Sequence, residues 1–252
     1  MSVSYQVRNG VAWLTIQRPE ARNALNKAVR DGLFDGVRTF NADDTAKVLV
    51  LTGAGDKAFC AGGDLKEMSE DGLTIPPVDF IPQFGRNITV DKPTIAAVNG
   101  VAFAGGFLLA QICDLCVAAT TAKFGITEAK VGRGSPWAAP LPLMIPRRIV
   151  MELVLTGAPL SAARAHEIGF VNRLAEPDEL IEVTQALAEQ IAANAPLSVA
   201  AGKQTAALTA EHPLSAAYEL AETLWAPVYL SDDAQEGPRA FNEGRSPRWK
   251  GA

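Results

Sequence analysis

Two histidines and three cysteines are all the imidazole and thiol chemistry in this chain of 252 residues. A structural zinc site takes about four such ligands. Cys113-x-x-Cys116 has a zinc-like spacing, but Cys60, His166 and His212 fall on different predicted elements. The two cysteines therefore read as buried core residues, and no metal is expected. An odd count of three is also too few for a disulfide framework. There is no G-x-S-x-G, since "GRGSPW" lacks the glycine after Ser135, and neither histidine is placed to serve a nucleophile. "GAGDKAF" is not G-x-G-x-x-G, and "GKQT" lacks the upstream glycine of a phosphate loop. No apolar run approaches the ~18 residues that span a membrane. The polar start "MSVSYQVRNG" carries no secretory signal, so a reducing cytoplasm is the expected location. Excess positive charge is absent too: the net charge is −5, which disfavours nucleic acid as a partner.

What is present is a chain that is 48% hydrophobic, enough for a sizeable core. Two alternating runs flank Asn9-Gly10 in "VSYQVRNGVAWLTIQRP", a hairpin signal. Residues 26–41 place Val29, Leu33, Val37 and Phe40 at helical spacing. "AKVLVLTG", "KPTIAAVNG" and "DLCVAAT" read as short buried strands. Residues 70–82, with Gly72, Pro76, Pro77 and Pro82, read as a mobile surface loop. From about Pro140 the pattern turns helical: "SAARAHEIG" has a Ser N-cap, "PDELIEVTQALAEQIAANAP" is a long helix closed by Pro196, and helices follow near 214–230 and 233–242. Strands are thus expected in the first half and helices in the second.

One unit occurs twice: strand, glycine turn, helix, over 48–68 and again over 94–112. A helix that starts straight from a strand presents unpaired N–H groups. The turns Phe59-Cys60-Ala61-Gly62-Gly63-Asp64 and Ala104-Gly105-Gly106 could be mere close packing. They could equally aim two N–H donors at one oxygen, an oxyanion hole made of backbone.

Four stretches carry a resemblance: "RPEARNALN", "LTGAGDKAFCAGGDLKEM", "AAVNGVAFAGGFLLAQICD" and "AKFGITEAKVG". Together with "LVLTGAPLSAARAHEIGFVNRL" and the tail "AQEGPRAFNEGRSPRWKG", they resemble the crotonase, or enoyl-CoA hydratase/isomerase, family over nearly the whole chain. The resemblance implies an α/β fold, a crotonase-like ββα spiral over 1–195 carrying an acyl-CoA site, and a helical trimerisation region over 196–252. It implies an acyl-CoA thioester as substrate, coenzyme A being part of that substrate and no separate cofactor being needed. It implies a homotrimer or a dimer of trimers. Carried over by position, the oxyanion donors fall on Ala61 and Gly105, and Ala61, Gly62, Gly63, Asp64 and Leu65 line the coenzyme A moiety.

Hydratases of the family use two glutamates. The second matches Glu128; the first would stand at Leu108. Where hydratases carry a glycine N–H that helps hold the attacking water, this chain has Pro136, which has no N–H. One carboxylate suffices for a 1,3-proton shift, so the pattern is similar to Δ3,Δ2-enoyl-CoA isomerases. The competing readings are a hydratase working with Glu128 alone or with a loop acid such as Glu70 or Asp71, and an acyl-CoA-binding protein with weak catalysis. Glu128 could also be a solvated helix-start carboxylate after Thr127.

Overall fold

The computed structural model describes residues 2–252. The hairpin forms as its turn chemistry dictates. Asn9 (φ 50°) and Gly10 (φ 76°) both take the left-handed conformation that a two-residue hairpin turn requires, joining β1 (Val3–Arg8) to β2 (Val11–Ile16). α1 (Lys27–Ala42) starts where the Asn26 side chain accepts from the Val29 N–H, and it buries Val29, Leu33, Val37 and Phe40.

From there the chain winds between two sheets. β3 (Val48–Gly53) joins the first sheet and β4 (Ala58–Cys60) the second, before α2 (Leu65–Glu70). The next turn repeats this with β5 (Thr94–Val98), β6 (Val101–Phe103) and α3 (Gly105–Gln111). A third adds β7 (Leu115–Ala119) and β8 (Lys123–Gly125), followed by 3₁₀ turns at Glu128–Val131 and Pro136–Ala138. Then come α4 (Leu141–Met144), α5 (Arg147–Thr156), β9 (Leu160–Ser161), α6 (Ala162–Glu167), β10 (Arg173–Ala175), α7 (Leu180–Ala192), α8 (Pro196–Glu211), α9 (Leu214–Leu230) and α10 (Asp232–Glu243). The six-stranded sheet runs β1-β2-β3-β5-β7-β10 and is parallel except at the hairpin; the four-stranded sheet runs β4-β6-β8-β9. β3 and β5 are buried along their whole length, as central parallel strands are. The α/β class and the ββα spiral are as expected.

Three expectations about the second half need correction. Strands occur there: β9 pairs with β8 and β10 with β7, each too short for an alternation to register. α8 lies between the expected helices; it has no apolar stripe, so periodicity gives no sign of it. Pro196 does not close α7, which ends at Ala192, but opens α8 as its first residue, where a missing N–H does no harm. Lys203 of α8 is anchored on the spiral, its Nζ 2.9 Å from both Asp114 and the Lys92 carbonyl. No helix among the described residues is long and apolar enough to cross a membrane.

The two strand-to-helix turns lie against each other. A Cβ on Gly62 (φ 97°) would stand 2.8 Å from Ala104 Cβ and 2.9 Å from the Phe103 carbonyl. One on Gly106 would run into the carbonyl oxygen of Cys60, a backbone atom with nowhere to go. Ala104 itself is held at φ 51°, ψ −120°, a region natural only to glycine. Gly106→Ala is therefore expected to separate the two turns and destabilise the fold by at least about 3 kcal/mol. Ala104→Gly should be tolerated. Thermal or urea melts of the two variants check the contrast.

Candidate active site

The first turn is held from outside by Arg22, Asn23 and Arg18. Arg22 and Asn23 take left-handed conformations (φ 52° and 55°), and the fully buried Asn23 amide donates to the Ala54 and Ala58 carbonyls. This places the Arg22 carbonyl where it accepts from the Ala61 N–H at 3.0 Å. Asp64 caps α2 by accepting from the Lys66 and Glu67 N–H groups. It also pairs with Arg18 at 2.6 Å, and the bond from that guanidinium keeps its carboxyl below the usual range. Arg30 holds Glu67 at 2.6 Å, tying α2 to α1.

The expectation for Ala61 is thereby overturned. Its N–H is already spent on Arg22 and is not free for a ligand oxygen. Two residues on, the Gly63 N–H has no protein acceptor among the described residues, and Gly105, as the first residue of α3, has no intrahelical acceptor. Both glycines line one cavity of about 1150 Å³, and the Cβ position of Gly62 lies only 3.4 Å from Gly105 N. Ala61, Asp64 and Leu65 line the same cavity, whereas Gly62 is packed beneath it against Ala104.

Glu128 opens its 3₁₀ turn inside this cavity and is only 6% exposed, so it is not a solvated helix-start carboxylate. Its Oε1 accepts from Trp137 Nε1 at 2.9 Å, while Oε2 is buried with no partner. Burial pushes the carboxyl above its ordinary value; the Trp137 indole and the backbone N–H groups of Glu128 and Thr127 offset that only in part. Leu108, 3% exposed, lines the cavity where a second carboxylate would be needed. Asp64 is the other acid on the cavity wall, and it is committed to Arg18 and α2. Glu70 and Asp71 do not line the cavity: Glu70 is exposed, 3.9 Å from Lys66, and Asp71 ends α2.

The segment expected to be a mobile surface loop is the cavity's outer wall. Arg133 donates to the Leu73 and Thr74 carbonyls, and Asn87 to those of Val78 and Ile81. Trp137 is a site residue that the sequence did not reveal. It lies nine residues beyond Glu128 in a Gly/Pro-rich stretch, with no periodicity to show which way its indole points. Cys60, Cys113 and Cys116 are free and buried, and burial pushes the Cys60 thiol up to about 12. His166 Nδ1 lies 2.8 Å from the Val171 carbonyl and His212 ends α8, both away from the cavity.

Comparison with known proteins places the chain in a family. The family model described as enoyl-CoA hydratase/isomerase matches residues 6–252. An (E)-benzylidenesuccinyl-CoA hydratase of Thauera aromatica is 38% identical over the full length of both chains. A carnitinyl-CoA dehydratase of Salmonella typhi is 40% identical, over 97% of each. The crystal structure of an enoyl-CoA hydratase from Mycobacterium marinum superposes with a TM-score of 0.88 at 40% identity, covering 100% of this chain and 99% of that one. The chain belongs to the enoyl-CoA hydratase/isomerase, or crotonase, family. It is an enzyme of that family acting on acyl-CoA.

The Glu128 shift has a stability consequence with a definite sign. The folded state holds the proton more tightly than the unfolded one, so below the ordinary value of 4.5 both states are protonated and nothing is lost. As pH rises above 4.5 the buried carboxylate increasingly disfavours the fold, until the folded group too has ionised. Glu128→Gln keeps an acceptor for Trp137 and removes this cost. Its Tm at pH 7–8 is expected to equal or exceed that of wild type, with the gap closing near pH 4. Calorimetry across that range checks it; a Tm well below wild type at pH 8 would contradict it.

Proposed function

We propose that this enzyme shifts a carbon–carbon double bond within an acyl-CoA thioester, converting a 3-enoyl to a 2-enoyl group. Glu128 is the single proton carrier. The observation that carries this reading is one unpaired carboxylate oxygen, Glu128 Oε2, in a cavity that Leu108 also lines. A thioester acidifies its C2 protons. Glu128 takes one as a base, and the electron pair passes into a dienolate whose charge collects on the thioester oxygen. The Gly63 and Gly105 N–H groups hold that oxygen, Gly105 with the aid of its helix dipole. Glu128, now neutral, returns the proton at C4, and the double bond comes to rest between C2 and C3. The raised carboxyl value serves the second step, because a buried carboxylic acid is stable while it waits. The segment 61–65 is the coenzyme A wall, with Lys66, Arg86 and Lys130 on the cavity lining as cation complements for phosphate.

A second reading is hydration or dehydration, favoured by the hydratase and dehydratase activities for which the Thauera and Salmonella relatives are named. There Glu128 alone would both activate water and deliver the proton. Incubation with 3-enoyl-CoA and, separately, with 2-enoyl-CoA distinguishes the two by the conjugated enoyl absorbance. On the first reading the 3-enoyl substrate gains absorbance, while hydration of the 2-enoyl substrate runs roughly 10²–10⁴ slower for want of a second acid–base group. Rapid loss of 2-enoyl absorbance would establish the second. Glu128→Gln is expected to lower either rate by roughly 10²–10⁴. Gly105→Pro removes one oxyanion donor and should lower kcat by roughly 10²–10³; its ring would also press on Leu25 and Ile81, whose side chains lie 2.9 and 3.1 Å from the Cβ position, so a circular dichroism spectrum must show that the variant folds.

Self-association also belongs to this reading. α9 and α10 leave Leu214, Tyr218, Tyr229, Leu230 and Phe241 exposed. This apolar surface supports a trimer or a dimer of trimers. Sedimentation equilibrium at micromolar concentration is expected to give three or six chains; a stable monomer would count against it.

A further inference from the structure

α3 enters the site at both ends. Its first residue, Gly105, faces the cavity. Its last, Gln111, is 5% exposed and donates from Nε2 to the carbonyl oxygen of Trp137 at 3.0 Å. Trp137 in turn donates from its indole to Glu128 Oε1. Phe107, also on α3, meets the Trp137 ring edge-on with centroids 6.0 Å apart. The stretch around Trp137 has little structure of its own. It contains Gly132 at φ 65°, Gly134, Pro136 and Pro140, and its internal bonds are short-range turns such as Ala138 N–H to Ser135 O. α3 therefore supplies what holds both the main chain and the ring of Trp137.

Gln111 carries a cost that a core leucine would not: its Oε1 is buried with no partner. A side chain kept only to fill space would not be an amide. We propose that Gln111 is a positioning residue. Acting through Trp137, it fixes the Glu128 carboxylate relative to the Gly105 N–H at the other end of the same helix. The relay sets both where the proton carrier stands and how readily it ionises, because the indole bond favours the charged form in a cavity that otherwise disfavours it. This rests on the reading of Glu128 as the proton carrier.

The test begins without substrate. Titration of the Glu128 carboxyl is followed by ¹³C NMR of glutamate-labelled protein, the resonance being assigned by its loss in Glu128→Gln. Trp137→Phe is expected to raise the Glu128 midpoint by about one unit or more, since a charge-assisted bond is lost. Gln111→Met, of similar size but with no donor, should raise it in the same direction by less. In turnover, Gln111→Met should lower kcat by roughly tenfold to a hundredfold while leaving KM within about twofold, and should move the acid limb of the pH–rate profile upward. If Gln111→Met does not fold, Gln111→Leu takes its place in both measurements. A variant that melts earlier but keeps the wild-type Glu128 midpoint and kcat overturns the relay. Because the NMR midpoint needs no substrate, a shifted midpoint upholds the relay even where Glu128→Gln leaves turnover intact and the proton-carrier reading falls. An unshifted midpoint with turnover lost in Glu128→Gln overturns the relay alone.

Discussion

The site depends on one contact, where the turn after β4 meets the turn after β6. Gly62 lies against Ala104, and Gly106 passes directly beneath the Cys60 carbonyl. No side chain fits between them. The backbone of Ala104 is bent into a region that alanine avoids, and the Ala104 N–H is pinned on the Gly125 carbonyl at 2.8 Å. Surrounding structure must hold such a conformation, and here the parallel pairing of β4, β6 and β8 does so. The outcome is that two loops 42 residues apart in sequence bring the N–H groups of Gly63 and Gly105 to one cavity, on rigid backbone rather than on side chains that would have to be ordered.

Leu108 alters this site in two ways. It supplies no proton carrier, and it presents an apolar side chain to the cavity. Burial in this cavity pushes the Glu128 carboxyl upward. The backbone N–H groups of Glu128 and Thr127 and the Trp137 indole oppose this. The balance between burial and these donors sets how readily Glu128 ionises.

The outer wall follows a different logic. Residues 71–92 contain no regular helix or strand, yet they are tied down by side chains bonded to main-chain carbonyls: Arg133 on Leu73 and Thr74, Asn87 on Val78 and Ile81. Ile75 and Val78 remain exposed on this wall. A wall without a ladder of its own can change in sequence while the backbone site beneath stays the same, which suits one scaffold to many acyl groups.

Local chemistry was legible from the chain alone. Asn9-Gly10 dictates its hairpin, because both residues tolerate positive φ. Asn26, Asp64 and Ser161 mark helix starts, because their side chains reach N–H groups two or three residues on. The doubled glycine turn was legible for the same reason, being a property of adjacent residues, whereas Glu128 stood out only through the family resemblance, since by its neighbours alone it reads as a solvated helix-start carboxylate. What the tertiary structure alone decided is which N–H groups remain free and which side chains meet. Ala61 and Gly63 are equivalent candidates in a string of small residues, and only the left-handed turn at Arg22, 39 positions earlier, takes the N–H of Ala61 and leaves that of Gly63. Gln111, Trp137 and Glu128 come from a helix end, an irregular turn and a 3₁₀ start, and no periodicity links them. α8, with small residues on every side, shows its buried face only when it is docked. Sequence pattern reports which way a residue faces along its own element; long-range packing sets what it faces.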